Sequence, residues 1–282
     1  MLELNKLRQQ ILISMIVSGV VIFLGVLFLA FEPIGGICII FLGMGAIAFI
    51  SATLKKSYKN KYKSTIVSEV LNKMFEVNVY NPAQGYEKDY VESTHLIPIG
   101  NRYSSDDYIK ARYHGVEFER SDVCMQNVQS TGKTTTVVTY FQGSWNTFTF
   151  NKSVSTFLVI KEKEFLNNSK PGGIFSDAPK TSKVLFEDIE FNNKFVVYAQ
   201  NEHDAFYILS PVFIEKIKQL EFEHDGRLII GIIDNKIHIL LDNRQNILEP
   251  SIIDDISESD YAKIENELKT VIDIMKSLDF IE

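Results

Sequence analysis

Cysteine is nearly absent: the 282 residues hold two, Cys38 and Cys124. Neither has a histidine or second cysteine at ligand spacing, so a disulfide framework and a zinc knuckle are both excluded and a reducing compartment fits. An excess of positive charge is missing too. Lys and Arg number 29 against 36 Asp and Glu, a formal net charge of -7. Residues 1–54 contribute Lys6 and Arg8 against Glu3 and Glu32, so all the net negative charge lies beyond them. An acidic domain is repelled by nucleic acid, and no DNA or RNA partner is expected.

Catalytic signatures are missing as well. Gly132-Lys133-Thr134 copies the end of a phosphate-binding loop, but the first glycine of that pattern falls at Asn127, whose β-carbon would obstruct phosphate. The residues that follow, Thr134 to Tyr140, are β-branched and strand-like where the motif needs a helix N-terminus. A hairpin turn explains Ser130 to Lys133 better. His95, His114, His203, His224 and His238 include no H-E-x-x-H, and His203-Asp204 and His224-Asp225 read as solvated pairs in polar turns. Cys124 sits in a strand pattern as an inert thiol. No G-x-S-x-G elbow is present, and Glu187, Asp188 and Glu190 read as a solvated face. No catalytic, cofactor-binding or metal-binding residue is therefore assigned.

What the chain does have is two long uncharged apolar runs, 11–31 and 34–54. At about 1.5 Å per helical residue each covers the roughly 30 Å hydrocarbon layer. The short link Phe31-Glu32-Pro33 forces an antiparallel helical hairpin, because unpaired backbone is not tolerated in lipid. A cleaved signal peptide would have a shorter apolar region and a small-residue cleavage site. Lys6 and Arg8 precede the first run, Lys55, Lys56, Lys59, Lys61 and Lys63 follow the second, and the link carries only Glu32. That asymmetry places both termini in the cytoplasm, in a multi-pass cell-membrane protein contacting lipid through its hairpin. Gly19, Gly25, Gly36, Gly43 and Gly45 are read as packing positions between the two helices. The expected domains are an N-terminus 1–10, the hairpin 11–54 and a cytoplasmic α+β domain 55–282, with a subdomain split near 167–182 as an option.

Beyond the hairpin, Tyr58, Tyr62, Ile66, Val70 and Met74 recur every four residues, with Val67, Leu71 and Phe75 beside them, and Lys59, Lys63, Ser68 and Lys73 opposite. This predicts one amphipathic helix ending near Asn81-Pro82. Short helices are expected over 86–92 and 105–110. From residue 115 the period becomes two, predicting strands at 115–128, 134–142, 144–150 and 155–161 in an antiparallel meander. Its aromatic wall is Phe141, Trp145, Phe148, Phe150 and Phe157. Residues 167–182, with Pro171-Gly172-Gly173, read as a covering loop. Strands are expected at 191–200 and 206–209, then a helix opened by Ser210-Pro211. A hairpin follows over 228–241, turning at Asp234-Asn235-Lys236. Tyr261, Ile264, Leu268, Val271, Met275 and Leu278 form a seam on a last helix, expected to pack on the chain's own sheet, with a homodimer or protein contact as the alternative.

Tyr140-Phe141-Gln142-Gly143, Phe150-Asn151-Lys152, Phe195 to Ala199 and Ala205 to Phe213 resemble a bacterial family of membrane-anchored proteins known only as a domain of unknown function. The resemblance implies two N-terminal transmembrane helices and an uncharacterised membrane protein, with no catalytic residues to transfer. The sequence thus supports an α+β fold, a two-helix membrane hairpin followed by a cytoplasmic antiparallel sheet with flanking helices. Its expected function is a tethered, non-catalytic binding or scaffolding module. The alternative is a membrane-bound hydrolase-type enzyme whose site is assembled from distant residues.

Overall fold

A computed structural model describes residues 2–149, 156–163 and 178–280, apart from the side chains at 2, 42, 46 and 47. These residues form two compact units, Met1–Val70 with Ile247–Glu265, and Leu71–Asn246 with Asn266–Glu282.

In the first unit, α1 (Leu2–Phe28) and α2 (Pro33–Tyr62) correspond to the two apolar runs. Pro33 occupies the first turn of α2, where its missing N–H costs nothing. By length and composition both helices can cross a membrane. They run antiparallel, as the contacts Gly36 to Leu29, Gly25 to Ile40 and Gly43 to Val21 show. A Cβ on Gly43 would come within 2.4 Å of Val21 Cγ1, and one on Gly25 within 2.5 Å of Ile40 Cγ1, so these glycines set the close approach. Gly19 and Gly45 face open space and have no such role.

The helix continues past Tyr62 through a π-helical segment (Lys63–Val67) into α3 (Ser68–Met74). The stripe Tyr58, Tyr62, Ile66 and Val70 is buried as expected, but Lys63, expected on the polar face, is buried too. Lys63 opens the π-segment, and its ammonium is met by Glu249 at 2.7 Å, which lets it be buried. The helix also stops earlier than expected. Residues 76–81 form strand β1 (Glu76–Asn81), since Val77, Val79 and Tyr80 find antiparallel partners on the next strand.

The second unit is built on one nine-stranded antiparallel sheet. Its remaining strands are β2 (Arg102–Tyr113), β3 (Val116–Ser130), β4 (Thr135–Thr149), β5 (Phe157–Glu162), β6 (Ser182–Val184), β7 (Phe195–Ala199), β8 (Arg227–Ile233) and β9 (Lys236–Asp242). The spatial order is β1-β2-β3-β4-β9-β8-β5-β7-β6. The meander is therefore shorter than expected: β4 pairs with β9, and β5 lies between β8 and β7. Strands from both sides of 167–182 share this sheet. The helix expected over 105–110 is instead part of β2, whose pairing with β3 is interrupted at a bulge where Asp107 takes φ +54°. Nor does β4 break at Gly143. That glycine is needed because a Cβ would lie 1.9 Å from Leu241 O on β9.

Other elements are α4 (Lys88–Ser93), α5 (Ile189–Lys194), α6 (Glu202–Ile208), α7 (Pro211–Glu223) and α8 (Glu258–Ser277). The strand expected at 206–209 is helical because Asn201 accepts a hydrogen bond from His203 N, and Glu202 and Asp204 favour the positive end of the helix. Likewise Asp188 caps α5 through Phe191 N at 2.9 Å, so the expected strand begins only at Phe195. Ser210 caps α7 with Pro211 at its first position, as the sequence indicated. Along α8, Ile264, Leu268, Val271 and Met275 are buried within the chain. Trp145, Phe141, Phe157, Val159, Ile229 and Leu240 lie in the core of one sheet face, together with Val91, Leu96 and Ile97 from the segment after β1. Phe150, Asn151-Lys152 and Pro171-Gly172-Gly173 lie outside the described residues.

Candidate functional site

The hairpin's surface is the most unusual feature of the first unit. Ile16, Phe23, Phe41 and Phe49 are each more than 60% exposed, and Ile13, Val20 and Leu24 more than half. Water does not tolerate an apolar surface of that extent, and lipid favours it. At the open end of the hairpin, residues 249–255 clasp both helices. Arg8 on α1 donates through Nη1 to Ile253 O at 2.9 Å and pairs with Asp255. Tyr58 on α2 donates to Ser251 O at 3.0 Å. Lys59 and the buried Lys63 both reach Glu249 Oε1, at 2.5 and 2.7 Å. A buried ammonium needs such a carboxylate, because desolvation of an unpaired charge is expensive. Lys61 and Glu3, 3.0 Å apart, tie the two helices directly.

In the second unit a buried charge cluster lies on β2, β3 and α8. Arg120 is 1% exposed, and its Nη2 lies 2.6 Å from Glu267 Oε1 and 3.0 Å from Asp122 Oδ1. On β2, the buried Asp107 accepts a hydrogen bond from Tyr80 OH at 2.8 Å. Burial raises the Asp122 carboxyl to about 7; Arg120 opposes that rise, and Asp107, Glu267 and Asp106 add to it. Asp122 borders a cleft of about 60 Å³ with Ser104, Asp106, Cys124 and Gln142 among its walls. Cys124 is half-buried on β3, and burial raises its thiol pKa.

His238 carries no motif in the sequence. It is buried on β9, and its Nδ1 accepts a hydrogen bond from Trp145 Nε1 at 3.2 Å. Burial, then the charge of Lys236, lowers its pKa to about 3, so it is a neutral structural group at physiological pH. His203, 3.8 Å from Asp204, is exposed, but both stand in helix α6 and not in a turn, and His224 at the end of α7 is half-buried, where burial lowers its pKa. The loop Thr131–Thr134 is the expected hairpin turn, closed by Thr131 N donating to Thr134 O, with Gly132 at φ +80°. Asp188 is more than a solvated carboxylate: the Phe191 amide, then Lys218, hold it below the usual carboxylate range. A larger surface cleft, about 410 Å³, is lined by Glu162, Lys163, Glu190, Lys194, Glu221 and Arg227 among others, but Lys194 and Glu221 already pair with one another.

Comparison with known proteins adds one assignment. No curated protein matches the chain. A solved structure, the mycobacterial trehalose monomycolate transport factor A, aligns with 7% identity and a TM-score of 0.40, over 78% of this chain and 95% of that one. Likeness at that level carries no argument. Residues 139–280, from within β4 to the end of α8 and so just over half of the sequence, match the family described as protein of unknown function, DUF3137. The chain belongs to the DUF3137 family of proteins of unknown function.

Proposed function

We propose that the protein is a multi-pass membrane protein whose hairpin tethers a non-catalytic binding or scaffolding domain, with both termini in the cytoplasm. The observation that carries this reading is the outward-facing apolar surface of α1 and α2. The lysine asymmetry around the apolar runs gives the orientation. Its acidic charge disfavours a nucleic-acid partner. The full-length protein should stay with membranes through alkaline extraction, and alkaline phosphatase fused after Glu282 should be inactive. Release into the alkaline supernatant, or an active fusion, would overturn the tether or its orientation respectively.

A hydrolase-type enzyme is the second reading, favoured by Asp122, a carboxyl held near neutrality beside a cleft. Turnover of a panel of ester, phosphoester and glycoside substrates, lost in a folded Asp122→Asn variant, would favour it over the module.

A further inference from the structure

The turn at residues 251–255 is held against both helices and is braced by its own hydrogen bonds. Ser251 Oγ donates to Asp254 Oδ2 at 2.9 Å and accepts from the amides of Ile253 and Asp254, at 3.3 and 3.2 Å. Asp255 pairs with Arg8, and the Ile253 and Ser251 carbonyls are taken by Arg8 and Tyr58. Ile253 is 81% exposed, and the carboxylates of Asp254 and Asp255 beside it, also exposed, are paired with Ser251 and Arg8.

The depth of this turn follows from the helices that hold it. Arg8 precedes the apolar run at Ile11 by three residues and Tyr58 follows the run's end at Leu54 by four, so at about 1.5 Å per residue the turn sits roughly 5 Å outside the hydrocarbon. The headgroup layer on each side of a bilayer is roughly 5–8 Å thick. Lys6, Lys55 and Lys56 are exposed near the same level, as cations that can meet lipid phosphates.

We propose that the 251–255 turn is a third membrane contact, a foot that seats Ile253 in the interfacial layer of the leaflet from which both helices emerge. The inference rests on the membrane-hairpin reading above. It continues the lipid-facing surface of the hairpin, and its occupant is the bilayer interface. A chain held there at three points resists tilting about the hairpin axis, which fixes the direction in which the segment after Asp255 leaves the membrane.

The test uses the full-length protein in phosphatidylcholine–phosphatidylglycerol vesicles, with an environment-sensitive fluorophore on a single cysteine. The probe is placed at Ile253→Cys in a Cys38→Ser, Cys124→Ser background. Native Cys38 labelled in a Cys124→Ser chain reports the hairpin, and Phe222→Cys, 88% exposed in the wild type, reports water. Expected is blue-shifted emission at position 253, with several-fold stronger quenching by a headgroup-level nitroxide lipid than at position 222. Water-like emission at 253 with acyl-chain quenching at Cys38 would overturn the foot and leave the hairpin intact. Loss of quenching at both positions would overturn the hairpin reading and the foot with it.

Discussion

Large apolar side chains face in opposite senses in the two units. On α1 and α2, residues such as Phe23, Phe41 and Phe49 point outward, and the contacts between the helices are made where glycines allow it. On the sheet, Phe141, Trp145, Phe148 and Ile239 are buried, while charged groups that do go inside, such as Arg120, arrive with partners. The difference follows from the solvent each surface suits. The sheet unit has the inside-out segregation that water imposes, whereas the hairpin has close helix packing and no apolar segregation, as expected where the surroundings are themselves apolar.

The strongest way to break this comparison is to empty the sheet's core. Trp145→Ala removes the one tryptophan, fully buried and hydrogen-bonded to His238, and should destabilise the second unit by about 3–5 kcal/mol. Hydrogen exchange should then show lost protection in β3, β4 and β9 while amides of α1 keep theirs. Loss of protection in α1 as well would show that the two units do not respond separately.

The hairpin is tested by its glycines. Gly43→Ala drives a Cβ to 2.4 Å from Val21 Cγ1 and should cost about 1–3 kcal/mol, by overpacking. Gly45→Ala meets open space and should be neutral or stabilising by up to about 1 kcal/mol, through helix propensity. Thermal melts of both variants in the same lipid would separate them, and equal effects would rule out glycine-dependent contact at Gly43.

Acid and base sharpen the picture inside the sheet unit, where two buried groups act with opposite sign. His238 has a folded pKa of about 3 against an ordinary 6.5, so the stability it contributes is present above 6.5 and is lost as pH falls toward 3. Asp122 has a folded pKa of about 7 against an ordinary 3.8, so its contribution is present below about 4 and is lost as pH rises through 7. His238→Gln should therefore flatten the acid limb of stability against pH, and Asp122→Asn the limb between 4 and 7. Denaturant titrations across pH, followed by Trp145 emission in otherwise native protein, would read both. An unchanged acid limb in His238→Gln would mean that the imidazole titrates alike in the folded and unfolded chain.

The smallest effect belongs to Lys133, exposed in the β3–β4 turn. Lys133→Ala should change stability by no more than about 0.5 kcal/mol and leave nucleotide affinity, measured by calorimetry, at background. A loss of measurable nucleotide binding in the variant would restore the phosphate-loop interpretation of Gly132-Lys133-Thr134.

Much of the architecture could be read from local pattern. The two apolar helices, the β3–β4 turn at Gly132, the Ser210-Pro211 helix start, the turn at Asp234 and the seam of α8 all depend on neighbouring residues, and each stands where the periodicity placed it. The errors share a cause. The apolar stripe and the stop at Asn81-Pro82 make 76–81 look like a helix end, and the capping residues Ser105 and Asp106 make 105–110 look like a helix start, yet both are strands because partners distant in sequence supply a ladder. In the opposite direction, Phe206 to Leu209 looks like a strand until the Asn201 cap upstream is counted.

What the sequence by itself determined is the length and apolarity of the hairpin, the change of period from helix to strand, and the lack of any compact catalytic motif, since each is a property of consecutive residues. Tertiary structure alone decided that β5 inserts between β8 and β7, and that Gly143 continues a strand where a turn was expected. It also decided that Lys63 is buried against Glu249, that His238 meets Trp145 and that Arg120 is shared by Asp122 and Glu267. Those pairings join residues up to 186 positions apart, as Lys63 and Glu249 are. No local periodicity encodes them, because a buried charge or ring nitrogen selects its partner through desolvation, which acts only once the chain has closed around both.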